Sequence, residues 1–252
     1  MEFSGERVVP TSKESGPGTA LYEEHIKRYL FAKEFIAGKR VLDAACGTGY
    51  GTDLLGQHAK EAVGVDLAPE AVTYAREHYQ NPALQFLVGD VEHLNFPEGS
   101  FDVTVSYETL EHVPHPEAFI QELRRLLKPG GLIIISTPNK PAFKERKLFP
   151  YNPFHIKEYT WEEFHEVINK HFTQSEFYGQ NKPIVLSPLR RILRAVLQRI
   201  VNIPLMLDLA KRLPSALIHG TVSAIQNEDK NIYPIAENPN ASVFIAVARK
   251  PQ

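Results

Sequence analysis

The chain has 252 residues, with 28 Lys and Arg against 30 Asp and Glu, so its formal net charge at neutral pH is -2. This near balance argues against a dedicated nucleic-acid binder, whose affinity depends on neutralising phosphates with an excess of basic residues. A single cysteine excludes an internal disulfide and indicates a reducing compartment. The polar start shows no signal segment, and no apolar run reaches the ~18 residues of a membrane span. We therefore expect a globular cytoplasmic protein with no nucleic-acid partner.

Predicted helices and strands alternate along most of the chain. Residues 1–19 are rich in Pro, Gly and Ser and predict an irregular arm. Apolar side chains at helical spacing predict a helix over 20–36, and short apolar runs closed by turn residues predict buried strands. The elements predicted after that helix are a strand at 40–45, a helix at 51–58, a strand at 62–66, a helix at 69–78, strands at 84–88 and 101–106, a helix at 116–127, a turn at 128–131, a strand at 132–136, a helix at 160–170 and strands at 172–178 and 242–248.

This alternation predicts an α/β fold with a doubly wound, mostly parallel sheet that helices cover on both faces. Residues 1–37 form the predicted arm and first helix, and 38–182 with 242–252 form the predicted sheet domain. Residues 183–241 are predicted as a helical insertion before the last strand, placed as a cap over the acceptor site. Within it, residues 187–201 carry an apolar stripe flanked by arginines. We favour a helix packed on the domain there, and a dimer seam or an anionic membrane contact stay open.

A glycine-rich turn follows the first predicted strand, where residues 43–49 read DAACGTG. Glycines directly after a buried strand allow a sharp turn and a close approach of a ligand to the backbone. The next glycine, Gly51, is followed by Thr52, which stands where the dinucleotide fingerprint has Gly or Ala. The turn therefore indicates a ligand other than NAD in the same crevice. Asp43 lies inside the strand end, where a buried carboxylate needs a polar partner.

Two further carboxylates end the next two predicted strands. Asp66 follows the glycine turn by about 20 residues, a spacing at which an acid can accept hydrogen bonds from both hydroxyls of a ribose. Asp90 ends the third strand and is placed to accept from an exocyclic amine. Because parallel strands end at one edge of a sheet, Asp43, Asp66 and Asp90 predict a ligand rim at the topological switch point.

Taken in order, these motifs resemble those of the class I S-adenosylmethionine-dependent methyltransferases. The resemblance extends over roughly residues 38 to 180 and the final strand. It is carried by DAACGTG at 43–49, Asp66, Gly89-Asp90, Phe101-Asp102, LEHV at 110–113 and LKPGG at 127–131. It implies a seven-stranded sheet with an antiparallel last strand and S-adenosyl-L-methionine as the cofactor.

The resemblance also implies which residues hold that cofactor. Gly47 and Gly49 are expected against the methionine portion, Asp66 on the ribose, and Asp90 with Val91 around the adenine. Asp43 and the backbone near Ser106 and Tyr107 are expected to hold the amino group. The full predicted set is Asp43, Ala45, Gly47, Gly49, Asp66, Leu67, Asp90, Val91 and Tyr107.

Two histidines are the predicted catalytic residues. Transfer to a hydroxyl needs a base, and an ordinary imidazole can remove a proton near neutral pH. His112 and His155 follow the fourth and fifth strands. His112 could instead be a helix-start residue that bonds the backbone, and His155 could line the acceptor site. Glu108 and Glu111 are interpreted as supporting or helix-capping carboxylates. No metal is predicted, because no ligand spacing such as His-Glu-x-x-His occurs.

The sequence thus predicts methyl transfer to a hydroxyl of a small-molecule, sugar or glycan acceptor. The GERVVP segment at 5–10 and the NPFH segment at 152–155 resemble bacterial enzymes that tailor sugars and polysaccharides. A base N-methyltransferase is disfavoured, because residues 106–109 read SYET in place of Asn-Pro-Pro-Tyr or Asp-Pro-Pro-Tyr. Alternatives are a quinone- or polyketide-type O- or C-methyltransferase and a non-catalytic, cofactor-binding partner subunit.

Overall fold

The computed structural model describes residues 8–140, 154–181, 232–237 and 241–252. The chain divides into two compact units, Met1–Asn181 with Ile232–Gln252, and Lys182–Asn231. Most of the predicted insertion, including its stripe at 187–201, lies outside the described residues, as do residues 1–7 of the arm. None of the helices in the described ranges has the length and apolar content needed to cross a bilayer.

Helices and strands alternate in the first unit largely as the apolar periodicity predicts. Boundaries differ by one or two residues at most ends, and the largest difference is at the fifth strand. The elements are α1 (Ala20–Ile36), β1 (Arg40–Ala44), α2 (Tyr50–Gly56), β2 (Glu61–Asp66), α3 (Pro69–His78), β3 (Leu84–Val88), β4 (Phe101–Ser106), α4 (Pro116–Leu126), β5 (Leu127–Pro138), α5 (Trp161–His171), β6 (Thr173–Gln180), β7 (Ile232–Pro234), a 3-10 turn (Ile235–Glu237) and β8 (Val243–Arg249).

The strands form one sheet in the order β3-β2-β1-β4-β5-β8-β6-β7. Strands β1 to β5 are parallel, whereas β8 runs antiparallel to both β5 and β6. The predicted doubly wound, mostly parallel α/β fold is therefore confirmed. The sheet has eight strands rather than the expected seven, because β7 pairs with residues 178–180 of β6 at the edge. β7 has only three residues and ends in a proline, which is too short to show the alternation of a strand, so the sequence did not predict it. The sheet therefore resumes at Ile232 instead of at residue 242.

The fifth strand begins earlier than its apolar run. Phe101 pairs with Leu127, but Val103 pairs with Leu132, so residues 128–131 form an irregularity inside the pairing of β4 with β5. Gly130 has a φ of 73°, in the left-handed region that glycine adopts without a Cβ clash. The predicted turn is thus a bulge within β5, and the helix α4 connects to the strand without a separate loop.

Alternate residues of the central strands are buried on opposite faces of the sheet. On one face, Leu42 and Ile133 pack in the cluster formed with α4 and α5. On the other face, Val41 and Ile134 pack in the cluster formed with α1 and α2. Helices therefore cover both faces of the sheet, which leaves the edge where the loops lie as the place for a ligand.

A capping box fixes the start of α5 and the end of the loop that carries His155. Thr160 Oγ1 accepts a hydrogen bond from the N–H of Glu163 at 3.3 Å, and Glu163 Oε2 accepts one from the N–H of Thr160 at 2.9 Å. These contacts satisfy two amides that have no partner within the helix. The cap therefore anchors the end of residues 154–160, which belong to the connection between β5 and α5 and are called the β5–α5 loop below.

We expect Thr160→Ala to lower the free energy of unfolding by about 1 kcal/mol, since it removes the cap acceptor. The matched control is Thr73→Ala on the exposed face of α3, where Thr73 Oγ1 only donates to the Pro69 carbonyl within the helix. Urea unfolding followed by circular dichroism measures both. Equal midpoints for the two variants would contradict the role of the cap.

Candidate functional site

The residues singled out by the sequence lie at the edge where the parallel strands end. Strands β1 to β5 all point to this edge, so the loops that follow them share it. Asp43 is the penultimate residue of β1, Asp66 is the last residue of β2, and Tyr107 directly follows β4. His112 lies in the β4–α4 loop, and His155 lies in the β5–α5 loop. This common edge is where open α/β sheets bind their ligands.

Asp43 is fully buried and has two hydrogen-bond donors. Tyr29 Oη of α1 donates to Asp43 Oδ1 at 3.2 Å, and Thr52 Oγ1 of α2 donates to Asp43 Oδ2 at 2.6 Å. Burial raises the pKa of Asp43 to about 7; the charge of Asp66 adds to this, and the two hydrogen bonds oppose it. The polar partner expected for Asp43 is thus found. Thr52, noted in the sequence only as a departure from the NAD fingerprint, supplies one of the two donors.

The glycine turn adopts left-handed backbone angles, and one of its members is not a glycine. Gly47 has a φ of 57° and Gly49 a φ of 84°, while Ala45 has a φ of 64°. Left-handed angles are costly for a residue with a Cβ, so the surrounding contacts hold Ala45 in place. A Cβ at Gly49 would lie 2.6 Å from Ala75 Cβ and 2.8 Å from the Phe86 ring. Gly49 is therefore required because Ala75 and Phe86 pack where its side chain would be. That the backbone of Gly49 contacts the cofactor remains a prediction.

Asp66 joins the glycine turn to the end of β2. Its Oδ2 accepts from the N–H of Gly47 at 2.8 Å, and its Oδ1 accepts from the N–H of Ala68 at 3.0 Å. The Asp66 side chain is largely buried, whereas the adjacent Leu67 is 69% exposed. The acid thus sets the relative position of two loops of the predicted rim. Its predicted contact with a ribose remains a prediction.

The predicted adenine side of the rim has an exposed apolar surface. Leu67 and Val88 are large hydrophobic residues that are half exposed or more, whereas Val91, three residues after β3, is buried. Asp90 is exposed, and its Oδ1 accepts from the N–H of Glu92 at 2.9 Å, which closes a local turn. These residues offer apolar contact and a carboxylate to a flat base.

Helix α1 contributes side chains that the sequence analysis did not include in the site. Tyr29 packs edge-on against Tyr107, with ring centroids 5.0 Å apart, and Tyr107 Oη donates to the Arg28 carbonyl at 2.9 Å. Arg28 itself is buried and donates to Gln180 Oε1 at 2.6 Å. Helical periodicity identified α1 as amphipathic but gave no sign of which polar residues it directs toward the strand ends.

The arm also reaches the glycine turn. Val8 and Val9 are buried, and the Val8 carbonyl accepts a hydrogen bond from Thr48 Oγ1 at 2.8 Å. The Ser15 hydroxyl accepts from the N–H of Val9 at 3.0 Å, so the arm folds back on itself there. Part of the segment predicted as irregular therefore supports the loop that follows β1.

The two predicted catalytic histidines meet, although they come from different loops. Their ring centroids are 4.9 Å apart at an angle of 76°. His112 Nδ1 lies 3.0 Å from the Phe154 carbonyl, so His112 does bond the backbone, as one alternative expected. It does not start a helix, because α4 begins at Pro116 with His115 as its N-cap.

Glu111 lies beside the histidines and is almost completely buried. Its Oε2 accepts from Thr137 Oγ1 at 3.0 Å, and its carbonyl accepts from the N–H of Ile156 at 2.8 Å. Burial raises the pKa of Glu111 well above its usual range, and the neighbouring Glu108 raises it further. Glu111 caps none of the described helices, so of the two roles considered for it, a helix cap or a supporting carboxylate, only the second applies. Thr137 is the penultimate residue of β5, so Glu111 connects the loop after β4 to the end of the neighbouring strand β5.

The hydrogen-bonded burial of Asp43 predicts a pH dependence of stability. Its pKa in the folded chain is about 7, above the ~4 of an unfolded aspartate. The folded state therefore binds the proton more tightly, and stability falls as the pH rises from about 4 to 7. In the absence of cofactor we expect a slope of about 1 kcal/mol per pH unit over this range.

Asp43→Asn should remove the contribution of Asp43 to this slope while keeping one acceptor oxygen beside Tyr29 and Thr52. The buried Glu111, whose pKa is also raised, keeps its own contribution in the same direction. Asp53→Asn, on the partly exposed side of α2, should retain the wild-type slope. Urea unfolding at four pH values between 4.5 and 7.5 measures the dependence. A slope in Asp43→Asn equal to that of the wild type would show that other groups cause it.

Comparison with known proteins relates this geometry to a family. Residues 42–135 match the family described as a methyltransferase domain. A probable S-adenosylmethionine-dependent methyltransferase of Mycolicibacterium smegmatis is 33% identical over 168 residues, which are 67% of this chain and 63% of that protein. A ubiquinone biosynthesis O-methyltransferase of Xanthomonas oryzae is 42% identical over 115 residues, which are 44% of this chain and 48% of that protein. The chain thus spans less than two thirds of the length of either relative.

The fold has solved counterparts as well. The partner of the Trm112 methyltransferase activator from Haloferax volcanii superposes with a TM-score of 0.62 at 20% identity, over 91% of this chain and 89% of that one. With the domain match, this similarity confirms the fold that the sequence motifs implied. Residues 42–135 therefore form a methyltransferase domain, within a fold of the class I S-adenosylmethionine-dependent methyltransferases.

Proposed function

We propose that this chain transfers a methyl group from S-adenosylmethionine to a hydroxyl oxygen of a small molecule, sugar or glycan. The observation that carries the proposal is the meeting of His112 and His155 on the loops after β4 and β5. Strand β4 is the direct neighbour of β1, and β2 lies on the other side of β1; the ends of β1 and β2 hold Asp43 and Asp66. One edge of the sheet thus offers a cofactor rim and, beside it, a group that can act on an acceptor.

The cofactor side follows from the charges and shapes of the rim. When bound, S-adenosylmethionine supplies a methyl group on a positively charged sulfur, which is already activated for transfer. Asp66 would accept from the ribose hydroxyls while it holds the glycine turn in place. Leu67 and Val91 would contact the adenine. A cationic amino group near Asp43 would favour the ionised form of this buried acid.

The acceptor side favours oxygen. Methyl transfer depends mainly on holding the acceptor atom in line with the methyl group, and a hydroxyl also has to lose its proton. The Phe154 carbonyl can only accept a hydrogen bond, so in a neutral His112 it is Nδ1 that carries the proton. His112 Nε2 then has the lone pair that takes a proton. The O-methyltransferase name of the Xanthomonas relative agrees with an oxygen acceptor.

That relative also supports a second candidate, a quinol- or phenol-type acceptor. It is matched over less than half of either chain, so the region that would hold its ring is not compared. The Haloferax protein was solved in complex with an activator subunit. Whether methyl transfer by this chain depends on such a subunit is tested together with the acceptor. The fold alone does not decide between these acceptors or whether an activator is needed, because the same fold carries many activities.

Asp66→Asn tests the cofactor rim. It keeps the size of the side chain but leaves one of its two accepting oxygens as a donor amide. We expect the affinity for S-adenosylmethionine to fall by about 1–3 kcal/mol, the usual effect of a buried group that loses its partner. Isothermal titration calorimetry measures this, with Glu77→Gln on the exposed side of α3 as the matched acid-to-amide control. Wild-type affinity in a folded Asp66→Asn protein would reject the assignment.

An acceptor panel tests the reaction itself. Release of S-adenosylhomocysteine is measured with sugars, glycolipids and phenols, and mass spectrometry locates the added methyl group. We expect O-methyl products, and we expect His112→Ala and His155→Ala to lose turnover while keeping their affinity for S-adenosylmethionine. His155→Ala should raise the acceptor KM at least as much as His112→Ala does.

His58→Ala serves as the control, because His58 is exposed in the turn before β2, at the opposite edge of the sheet. A C-methyl product would favour the carbon-acceptor alternative. Cofactor binding without turnover on any acceptor would favour the partner-subunit alternative. Wild-type rates in both active-site histidine variants would remove them from the reaction.

A further inference from the structure

We propose that Glu111, His112 and His155 form a binding site for a divalent cation of the Zn²⁺ type. One ligand atom from each residue lies within 4.8 Å of the other two. His112 Nε2 lies 3.9 Å from Glu111 Oε1. Ligand atoms of a tetrahedral zinc ion are ~3.4 Å apart, so small side-chain shifts close the site. Two imidazoles and one carboxylate are a donor set that zinc enzymes use with the fourth position open.

Two atoms of this cluster have no hydrogen-bond partner among the described residues. They are Glu111 Oε1 and His155 Nδ1, and both are buried. The side chain of Glu111 is 1% exposed and that of His155 is 8% exposed. Glu158 Oε1 lies 3.5 Å from His155 Nδ1 without making a hydrogen bond to it. A buried polar atom left unpaired is costly, and a cation between these two atoms would satisfy both.

The remaining atoms of the ligands are held as in a metal centre. Glu111 Oε2 accepts from Thr137 Oγ1, which leaves Oε1 directed toward the histidines. His112 Nδ1 bonds the Phe154 carbonyl, so a neutral His112 presents the Nε2 lone pair on the side of Glu111. Ligating histidines commonly use their other ring nitrogen in this way, because the bond fixes the tautomer and the ring orientation.

The backbone ties the two loops together at the same point. The Glu111 carbonyl accepts from the N–H groups of Ile156 and Lys157, the two residues after His155. This contact sets His155 against Glu111 although the two lie in separate loops. No ligand spacing is visible along the chain because the three residues come from the segments after two different strands. The expectation of no metal rested on spacing along the chain, so this inference replaces it.

The inference deepens the proposed function and depends on it for the acceptor, but cation binding itself does not. A hydroxyl that coordinates the open position loses its proton more readily, as zinc-bound water does, and the proton passes to solvent water. The oxygen lone pair then forms the new O–C bond, and the electron pair of the broken C–S bond stays on sulfur. In this arrangement the two histidines act as ligands rather than as bases.

The direct test measures cation binding to the full, untagged chain after treatment with a chelator. Zn²⁺ is titrated by calorimetry without cofactor or acceptor, and bound metal is counted by mass spectrometry. We expect one Zn²⁺ per chain, at least tenfold weaker binding in Glu111→Gln and in His155→Ala, and wild-type binding in His58→Ala. Zn²⁺ should also raise the Tm of the wild-type chain and of His58→Ala but not of Glu111→Gln.

Failure of the wild-type chain to bind Zn²⁺ at micromolar concentration would overturn the site. So would binding of equal strength in Glu111→Gln and His155→Ala. The affinity of each variant for S-adenosylmethionine shows whether it is folded, independently of the cation.

The catalytic consequence has a separate readout. We expect the chelated enzyme to lose methyl transfer and to regain it with Zn²⁺. Full activity after chelation would overturn the role of the cation and leave the proposed function intact. If Zn²⁺ binds as expected but no acceptor releases S-adenosylhomocysteine, the cation site stands and the proposed function fails.

Discussion

The buried carboxylate of Asp43 is the constraint on which the rest of the site depends. A carboxylate in the middle of a covered sheet is tolerated only when donors reach it, and here they come from α1 and α2. Tyr29 can approach because α2 has Gly51 at the contact, where a Cβ would overlap the tyrosine ring. The position of α1, the start of α2 and the turn between β1 and α2 are therefore fixed together around one side chain.

Asp66 extends this arrangement to the next strand. Its two oxygens accept hydrogen bonds from the amides of the glycine turn and of the residue before α3, so Asp66 holds these two loops together. Because Asp66 also contributes to the raised pKa of Asp43, the two acids are coupled electrostatically as well as through the turn. A cationic ligand at this edge would act on both, which explains how a rim with two buried acids can favour a positively charged cofactor.

Local pattern was enough to predict the elements and the placement of Asp43 and Asp66 at strand ends, because strand ends and glycine turns are features of short segments. The bulge at residues 128–131 and the three residues of β7 were not predictable, since each depends on a partner strand. The same limit applied inside the site. Thr52 looked like a missing glycine until its hydroxyl was placed on Asp43, and nothing in the LEHV motif indicated that Glu111 would be buried beside a histidine from another loop.

The division between matched and unmatched residues suggests how the two halves of the site differ. The methyltransferase-domain match ends at residue 135, so it includes Asp43, Asp66 and Glu111 with His112, but not His155. Tyr29 of α1 also lies outside it. Methyltransferases that share one cofactor need similar residues to bind it, whereas each acceptor is selected by the residues that line its own site. Under the proposed function, His155 lies on the acceptor side and outside the matched domain. The β5–α5 loop is then where this chain would adapt methyl transfer to its own substrate.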